Sequence, residues 1–190
     1  MLEAPDLRGD EIVLRPWKLD DLDELVSALQ DPEIPRWTRI PEPYTGTDGR
    51  AFLERSAQSW IDGNAAGFAI LDPSGKQLLG SIGVVFHEQS AASVGYWVAR
   101  DARGRGIATR ALRLVAGWAL QSLGVERLEL VTDPDNTSSQ RVAEKAGFQR
   151  EGLLRRYLEI KGMRRDCVMF SLLRSDLSAQ ELPTSSQPLS

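Results

Sequence analysis

Apolar residues recur with two different periods along the first half of the chain. Residues 11–15 form a short β-rich run that stops at Pro16. Residues 20–30 place their apolar side chains on one face of a helix. The four prolines that follow predict an irregular segment, because proline fixes its own φ and lacks a backbone donor. A second helix, which Thr47 can cap, is expected to end at 62–64.

Strands fill the middle of the chain, and strands and helices alternate after it. Residues 67–71 and 77–87 flank an Asp-Pro-Ser-Gly turn, which is typical of a β-hairpin. The later elements are predicted as strand 94–99, helix 107–123, strand 127–132, helix 136–146 and strands 148–159 and 166–173. This order predicts a single α+β (mixed α/β) domain, with a central mixed sheet of about seven strands flanked by helices.

Composition and charge narrow the class of protein. The 190 residues are 42% apolar and 26% charged, as in one soluble domain. We assign residues 1–174 to the domain and residues 175–190, rich in Ser, Gln, Pro and Leu, to a flexible tail. The apolar runs are too short for a membrane span and no secretory signal is present, so we expect a cytoplasmic location. One Cys and one His argue against a zinc site, and no metal is expected. The net charge of −4 argues against nucleic-acid binding.

The segment 98–108 carries the clearest chemical signal. A strand, a turn rich in Gly and Arg, and a helix follow one another here. Backbone N–H groups of such a turn can converge on an anion, and the helix dipole adds to this attraction. Gly104 and Gly106 allow close backbone approach, and Arg103 and Arg105 carry guanidinium groups suited to phosphate. The segment therefore predicts a pyrophosphate site.

Other interpretations of this turn stay open on the motif alone. It could be a tight structural turn with solvated arginines. A dinucleotide-binding Rossmann unit would need a shorter loop and a third glycine where Thr109 stands, although Glu126 or Glu129 could supply its carboxylate. A P-loop would need Gly-Lys-Ser/Thr, which the sequence lacks.

Several short motifs stand in a fixed order around this turn. Arg103-x-x-Gly106-x-Ala108 fits the Gln/Arg-x-x-Gly-x-Gly/Ala signature of the GNAT family of N-acetyltransferases, which the chain resembles from about Leu7 to Arg174. Further motifs resemble the RimJ/RimL-like branch, which acetylates ribosomal-protein N-termini. They are residues 36–38, 43–45, 95–98, 135–139, 144–148 and 151–152.

This resemblance implies that two parallel strands splay apart around acetyl-CoA. They would be the strands that hold residues 96–98 and 128–132. Backbone groups of Trp97 and Val98 would pair with the pantetheine arm. Asn136 would hydrogen-bond the same arm, cap its own helix, or do both. The pyrophosphate would be held by N–H groups of Arg103, Gly104, Arg105, Gly106, Ile107 and Ala108.

The implied reaction is direct attack of an amine on the thioester in a ternary complex. The ammonium must lose a proton to a base, and the departing thiolate needs a proton or a hydrogen bond. Ser139 matches the serine that this branch uses against the cofactor sulfur, and Tyr157 is a second candidate acid, since a tyrosine pKa of about 10 suits a thiolate. Many relatives carry a carboxylate before Gly-Tyr-Trp that is absent here, so His87, Glu88 and Glu159 are the candidate bases.

The acceptor is expected to be a protein N-terminal amine or a small-molecule amine. Trp37 and Tyr44 would line its groove or cover one end of the sheet, and Asp166 would bind the amine or orient neighbours. The alternatives are an amino sugar, polyamine or antibiotic, which an acidic cleft would favour, and a CoA-binding sensor without catalysis. Relatives often dimerise, so a homodimer is expected. The basic pairs 155–156 and 164–165 are interpreted as a solvated face.

Overall fold

The computed structural model describes residues 4–180 of the chain, and an eight-stranded mixed sheet forms their centre. The strands are β1 (Leu7–Arg8), β2 (Val13–Pro16), β3 (Ala65–Leu71), β4 (Leu78–Phe86), β5 (Ala91–Val98), β6 (Arg127–Thr132), β7 (Gln149–Ile160) and β8 (Met163–Leu173). Their order across the sheet is β1-β2-β3-β4-β5-β6-β8-β7, and only β5 and β6 pair in parallel. The predicted mixed sheet is confirmed, with β1 as the additional strand.

Six helices accompany the sheet. They are α1 (Leu22–Ala28), α2 (Glu33–Trp37), α3 (Gly46–Asp62), α4 (Ile107–Ser122), α5 (Thr137–Lys145) and α6 (Arg174–Gln180). None of these helices is both long and apolar enough to cross a membrane.

Three helices differ from the sequence prediction. The proline-rich segment contains α2, because Pro35 lies in the first turn of that helix, where backbone N–H groups have no partner within the helix. Helix α3 is capped by Thr45 rather than Thr47, since Thr45 and Asp48 bond reciprocally in a capping box. The predicted tail begins as α6, whose Leu177 packs on the core, and its residues 181–190 lie outside the described part of the chain.

Each face of the sheet buries its own set of residues. Helices α4 and α5 cover one face, where the buried cluster includes Phe68, Leu112 and Phe170. Helices α1 and α3 cover part of the other face, where Leu25 and Ala69 belong to a second cluster. Consecutive residues of β3 therefore enter different clusters, as the alternation of side chains along a strand requires.

The parallel pair comes apart in the middle of the sheet. Strands β5 and β6 are paired only at Ala91–Arg127, Ala92–Leu128 and Ser93–Glu129. Beyond these pairs β5 stays bonded to β4 as far as Val98, and β6 stays bonded to β8 as far as Thr132. The result is a V-shaped opening between two strands that are each held from outside, which confirms the splayed arrangement.

A polar network ties β6, β7 and β8 together beside this opening. Arg127 donates from Nε to Glu129 at 2.7 Å, and from Nη1 and Nη2 to the two carboxylate oxygens of Glu151 at 2.7 and 2.6 Å. The Ser171 hydroxyl donates to Glu151 as well, at 2.6 Å. The bonds from Arg127 and then from Ser171 lower the pKa of Glu151 to about 2. The ionised carboxylate thus fixes β7 where its register with β8 shifts.

We expect Glu151 to make the fold sensitive to acid. Its pKa is about 2 in the fold against an ordinary 4.5, so its stabilising effect is complete above the ordinary pKa and disappears as the pH falls through this interval. Glu151→Gln should lower the free energy of unfolding by about 1 kcal/mol at neutral pH, as for a bidentate but partly exposed ion pair. Urea midpoints of the two proteins should converge toward acid pH. A difference that stays constant throughout the acid range would contradict this role.

Candidate functional site

The opening between β5 and β6 continues into a cavity of about 730 Å³. Residues 94–98 of β5 and 130–132 of β6 form its side walls. The turn before α4, the start of α5, helix α2 and the β7–β8 hairpin also line the cavity. One continuous space between the strands is therefore bordered by elements from both halves of the chain.

The turn before α4 presents backbone rather than side chains to the cavity. Gly104 and Gly106 have φ of 75° and 77°, and Gly106 occupies the N-cap position of α4. A side chain on Gly106 would strain the backbone at this φ, and the Arg110 guanidinium, 2.5 Å from the position of a Cβ, would have to move. The unpaired N–H groups at the start of a 16-residue helix favour an anion here. Of the six residues predicted for the pyrophosphate, all but Arg105 line the cavity.

The two arginines of this turn are engaged with protein groups. Arg103 donates from Nε to the Val98 carbonyl at 3.1 Å, and its Nη2 lies 2.5 Å from a carboxylate oxygen of Asp31, whose side chain is only 7% exposed. A carboxylate so nearly buried needs a cation beside it. Arg105 is exposed, and its carbonyl accepts a bond from Arg110 at 2.6 Å. The Arg103 guanidinium therefore holds the turn in shape, whereas Arg105 takes part in these contacts only through its backbone carbonyl.

A hydroxyl pair lies inside the cavity, between β5 and α5. The Tyr96 hydroxyl and Ser139 Oγ are 3.0 Å apart. Asn136 caps α5 by accepting from the Ser139 N–H at 3.0 Å, which confirms its capping role, and it also lines the cavity. Burial raises the pKa of Tyr96 to about 12, so this phenol keeps its proton at neutral pH.

Sequence reasoning missed Tyr96 as a functional residue. It appeared only as one letter of a motif, because its partner Ser139 lies 43 positions away in the chain. The alternation of β5 offered a signal, since Val94, Tyr96 and Val98 share the face that α4 and α5 cover.

The predicted acceptor residues divide between two cavities. Trp37 and Asp166 line the large cavity, where the Asp166 carboxylate accepts from the Arg156 backbone N–H at 2.7 Å. Tyr44 is buried and borders a second cavity of about 280 Å³ between α1 and α3. Trp97 lines both cavities, so the two cavities adjoin at this residue.

The other predicted catalytic residues do not line the large cavity. His87 bonds to the Ser93 hydroxyl at 2.9 Å, at the end where β5 and β6 are still paired. On β7, Leu158 and Ile160 line the cavity, so strand alternation turns Tyr157 and Glu159 away from it. The carboxylates that do line it, within residues 4–180, are Glu33, Asp133, Asp135 and Asp166. Residues 4–180 contain no group of three or more His, Cys, Asp or Glu side chains that could ligate a metal ion.

Known proteins share this sequence pattern and this fold. The profile of the acetyltransferase (GNAT) domain matches residues 11–149. The chain belongs to the GNAT family. It is 31% identical over 173 residues to the uncharacterized N-acetyltransferase p20 of Bacillus licheniformis, covering 90% of this chain and 97% of that protein. It is also 28% identical to the ribosomal protein uS5-alanine N-acetyltransferase of Escherichia coli, over 60% of each chain.

The GNAT fold is confirmed at the level of the whole domain. Mycobacterium smegmatis RimJ, solved in complex with CoA-disulfide, superposes with a TM-score of 0.79 at 24% identity and covers 93% of each chain. The resemblance drawn from the motifs is thus confirmed, and the chain is an acetyl-CoA-dependent N-acetyltransferase.

We expect Gly106→Ala to weaken acetyl-CoA binding at least about tenfold, because a side chain at this φ distorts the N–H groups that face the anion. Calorimetric titration measures the affinity directly. Gly75→Ala is the matched control, since Gly75 has a φ of 73° but open space around it, in the β3–β4 turn. Equal effects of the two substitutions on affinity would refute a special role of Gly106.

Proposed function

We propose that this enzyme acetylates a primary amine in a ternary complex formed inside the opening between β5 and β6. The observation that supports the proposal is one continuous cavity, which the turn before α4, helix α2 and the β7–β8 hairpin all line. The phosphates of acetyl-CoA would lie at the turn, and the amine would enter beside α2 and the hairpin. Direct transfer needs no intermediate on the protein, because both reactants occupy one space.

The cofactor would be held mainly by backbone groups. N–H groups of residues 104–108 would bind the pyrophosphate, aided by the dipole of α4. The edge of β5 at residues 94–98 is free on the side of β6, and the amides of a pantetheine arm could pair with it as an added strand does. Arg103 and Asp31 would keep the turn in its binding conformation.

The chemistry needs a donor for the sulfur and a base for the amine. The amine nitrogen attacks the thioester carbon, the oxyanion collapses, and the carbon–sulfur bond breaks. Ser139 would donate its proton or a hydrogen bond to the departing thiolate, while Tyr96 donates to Ser139. The ammonium proton would pass, directly or through water, to a carboxylate at the acceptor end, where Glu33 and Asp166 line the cavity.

The N-terminal amine of a protein is the acceptor class we favour. The uS5-alanine N-acetyltransferase of E. coli, named for a protein acceptor, supports this choice. The homodimer and the cytoplasmic location stay predictions.

Two measurements, made one after the other, test the proposed function. Calorimetric titration with acetyl-CoA should show binding, while NADH, run as a control for the dinucleotide interpretation, should not bind. Release of free thiol should then depend on an added amine, drawn from a panel of peptides and small amines, and mass spectrometry should locate the acetyl group. Binding of acetyl-CoA with no acetylation of any amine would favour the sensor alternative instead.

We expect Ser139→Ala and Tyr96→Phe each to lower kcat about 10- to 100-fold, since each removes part of one proton-donating pair. KM for acetyl-CoA should change little. The double variant should be scarcely worse than either single variant, because the two hydroxyls act as a unit. Ser122→Ala, at an exposed position near the end of α4, is the control for the serine substitution.

From the sequence, Tyr157 is a second candidate acid after Ser139, and Tyr157→Phe tests that prediction against the role proposed for Tyr96. Tyr157 is 47% exposed and points away from the cavity, so we expect kcat to stay within about twofold of wild type. A loss at Tyr157 that equals the loss at Tyr96 would overturn the hydroxyl pair as the proton donor.

A further inference from the structure

One side of the proposed acceptor entrance is a segment with an excess of basic side chains. Residues 150–166 hold six basic and three acidic side chains, although the whole chain has a net charge of −4. This segment is the β7–β8 hairpin, which forms one side of the entrance. The hairpin tip also reaches the segment between α2 and α3, where Lys161 lies 3.7 Å from Glu42. The hairpin and this segment therefore bound the entrance from two sides.

Ion pairs cancel most of the charge at the entrance. The paired groups are Glu33 with Arg36 at 3.3 Å, Glu42 with Lys161, Glu159 with Arg164 at 3.8 Å and Asp133 with Arg165 at 3.2 Å. Arg39, Arg155 and Arg156 form no ion pair with any residue from 4 to 180. Three arginines thus carry uncompensated positive charge, and on the β7–β8 hairpin, within the described residues, Asp166 is the carboxylate that forms no ion pair.

A bulge in β7 displays two of these arginines. The register of β7 with β8 shifts between Leu154 and Leu158, so residues 155–157 together oppose Asp166. Arg156 has a φ of 49°, and its N–H is held by the Asp166 carboxylate, which stabilises the bulge. Arg155 and Arg156 are both exposed. The fold thus holds two free guanidinium groups directly opposite a residue that lines the cavity.

Arg39 supplies positive charge from the other side of the entrance. It is exposed and borders the smaller cavity. Trp97 lines both cavities, so Arg39 borders a space that adjoins the large cavity.

We propose that the acceptor is a peptide N-terminus followed by acidic residues, recognised by Arg39, Arg155 and Arg156. This inference rests on the proposed function. The carboxylate of Asp166 lines the cavity and the three guanidinium groups lie outside it, which is the order of charges that suits a leading ammonium with carboxylates behind it. A polyamine carries positive charge along its whole length and does not fit this arrangement.

The test compares peptides that share one N-terminal residue and continue with glutamates, glutamines or lysines. With wild-type enzyme we expect kcat/KM to fall about tenfold from the acidic to the neutral peptide, and further for the basic peptide. The preference should weaken as salt screens the charges. A polyamine, assayed beside the peptides, should be a poorer acceptor than the acidic peptide. Equal rates for all three peptides, or a preference for lysines or the polyamine, would overturn the inference.

Substitutions in the β7 bulge test whether Arg155 and Arg156 cause the preference for the acidic peptide. In R155Q/R156Q, kcat/KM for the acidic peptide should fall most of the way to the value for the neutral peptide, and R39Q should act in the same direction. R150Q is the matched control, because Arg150 is an exposed arginine at the start of the same strand. An unchanged preference in R155Q/R156Q would overturn the assignment. Acetylation of neutral or basic amines alone would refute this inference and leave the proposed function intact, whereas no acetylation of any amine would defeat both.

Discussion

The separation of β5 from β6 is the constraint on which the rest of the site depends. Three residue pairs join these strands, and beyond Ser93 and Glu129 each strand is bonded only to its outer neighbour. Backbone N–H and C=O groups inside a sheet are costly to leave unpaired. The free edge at residues 94–98 is therefore suited to a ligand that carries amides of its own. The same gap forms one continuous cavity, so donor and acceptor can meet in a single space.

At the proposed anion site, side chains fix the backbone conformation of the turn before α4. Arginines beside a phosphate loop suggest direct ion pairing, yet Arg103 is held by Asp31 and the carbonyl of Arg105 is bonded by Arg110. These contacts fix the turn before any ligand arrives, which reduces the ordering cost of binding. Asp31 also lies between α1 and α2, so the link from Arg103 joins the turn to the acceptor end of the molecule.

Sequence reasoning succeeded where the local pattern determines the geometry. The long helices and the turn at 104–108 could be predicted, because periodicity and glycine positions fix them within a few residues. Strand β1 and helix α2 are too short to show a period. Tyr157 was named as a candidate acid and Tyr96 was not considered, because a sequence does not show which residues of two strands face one cavity. Which tyrosine faces the cavity depends on strand alternation around the β7 bulge and on the position of α5 beside β5. Both are features of the tertiary structure.

The net charge of the chain does not describe the charge at the acceptor entrance. A net charge of −4 describes the chain as a whole, but at physiological salt charges are screened over about 8 Å. An approaching amine is therefore influenced by the side chains around the entrance rather than by the total. Four of the carboxylates there have cationic partners, which leaves Asp166 inside and three arginines outside. The arginines that the sequence assigned to a solvated face thus acquire a role from a bulge, a feature with no pattern of its own in the sequence.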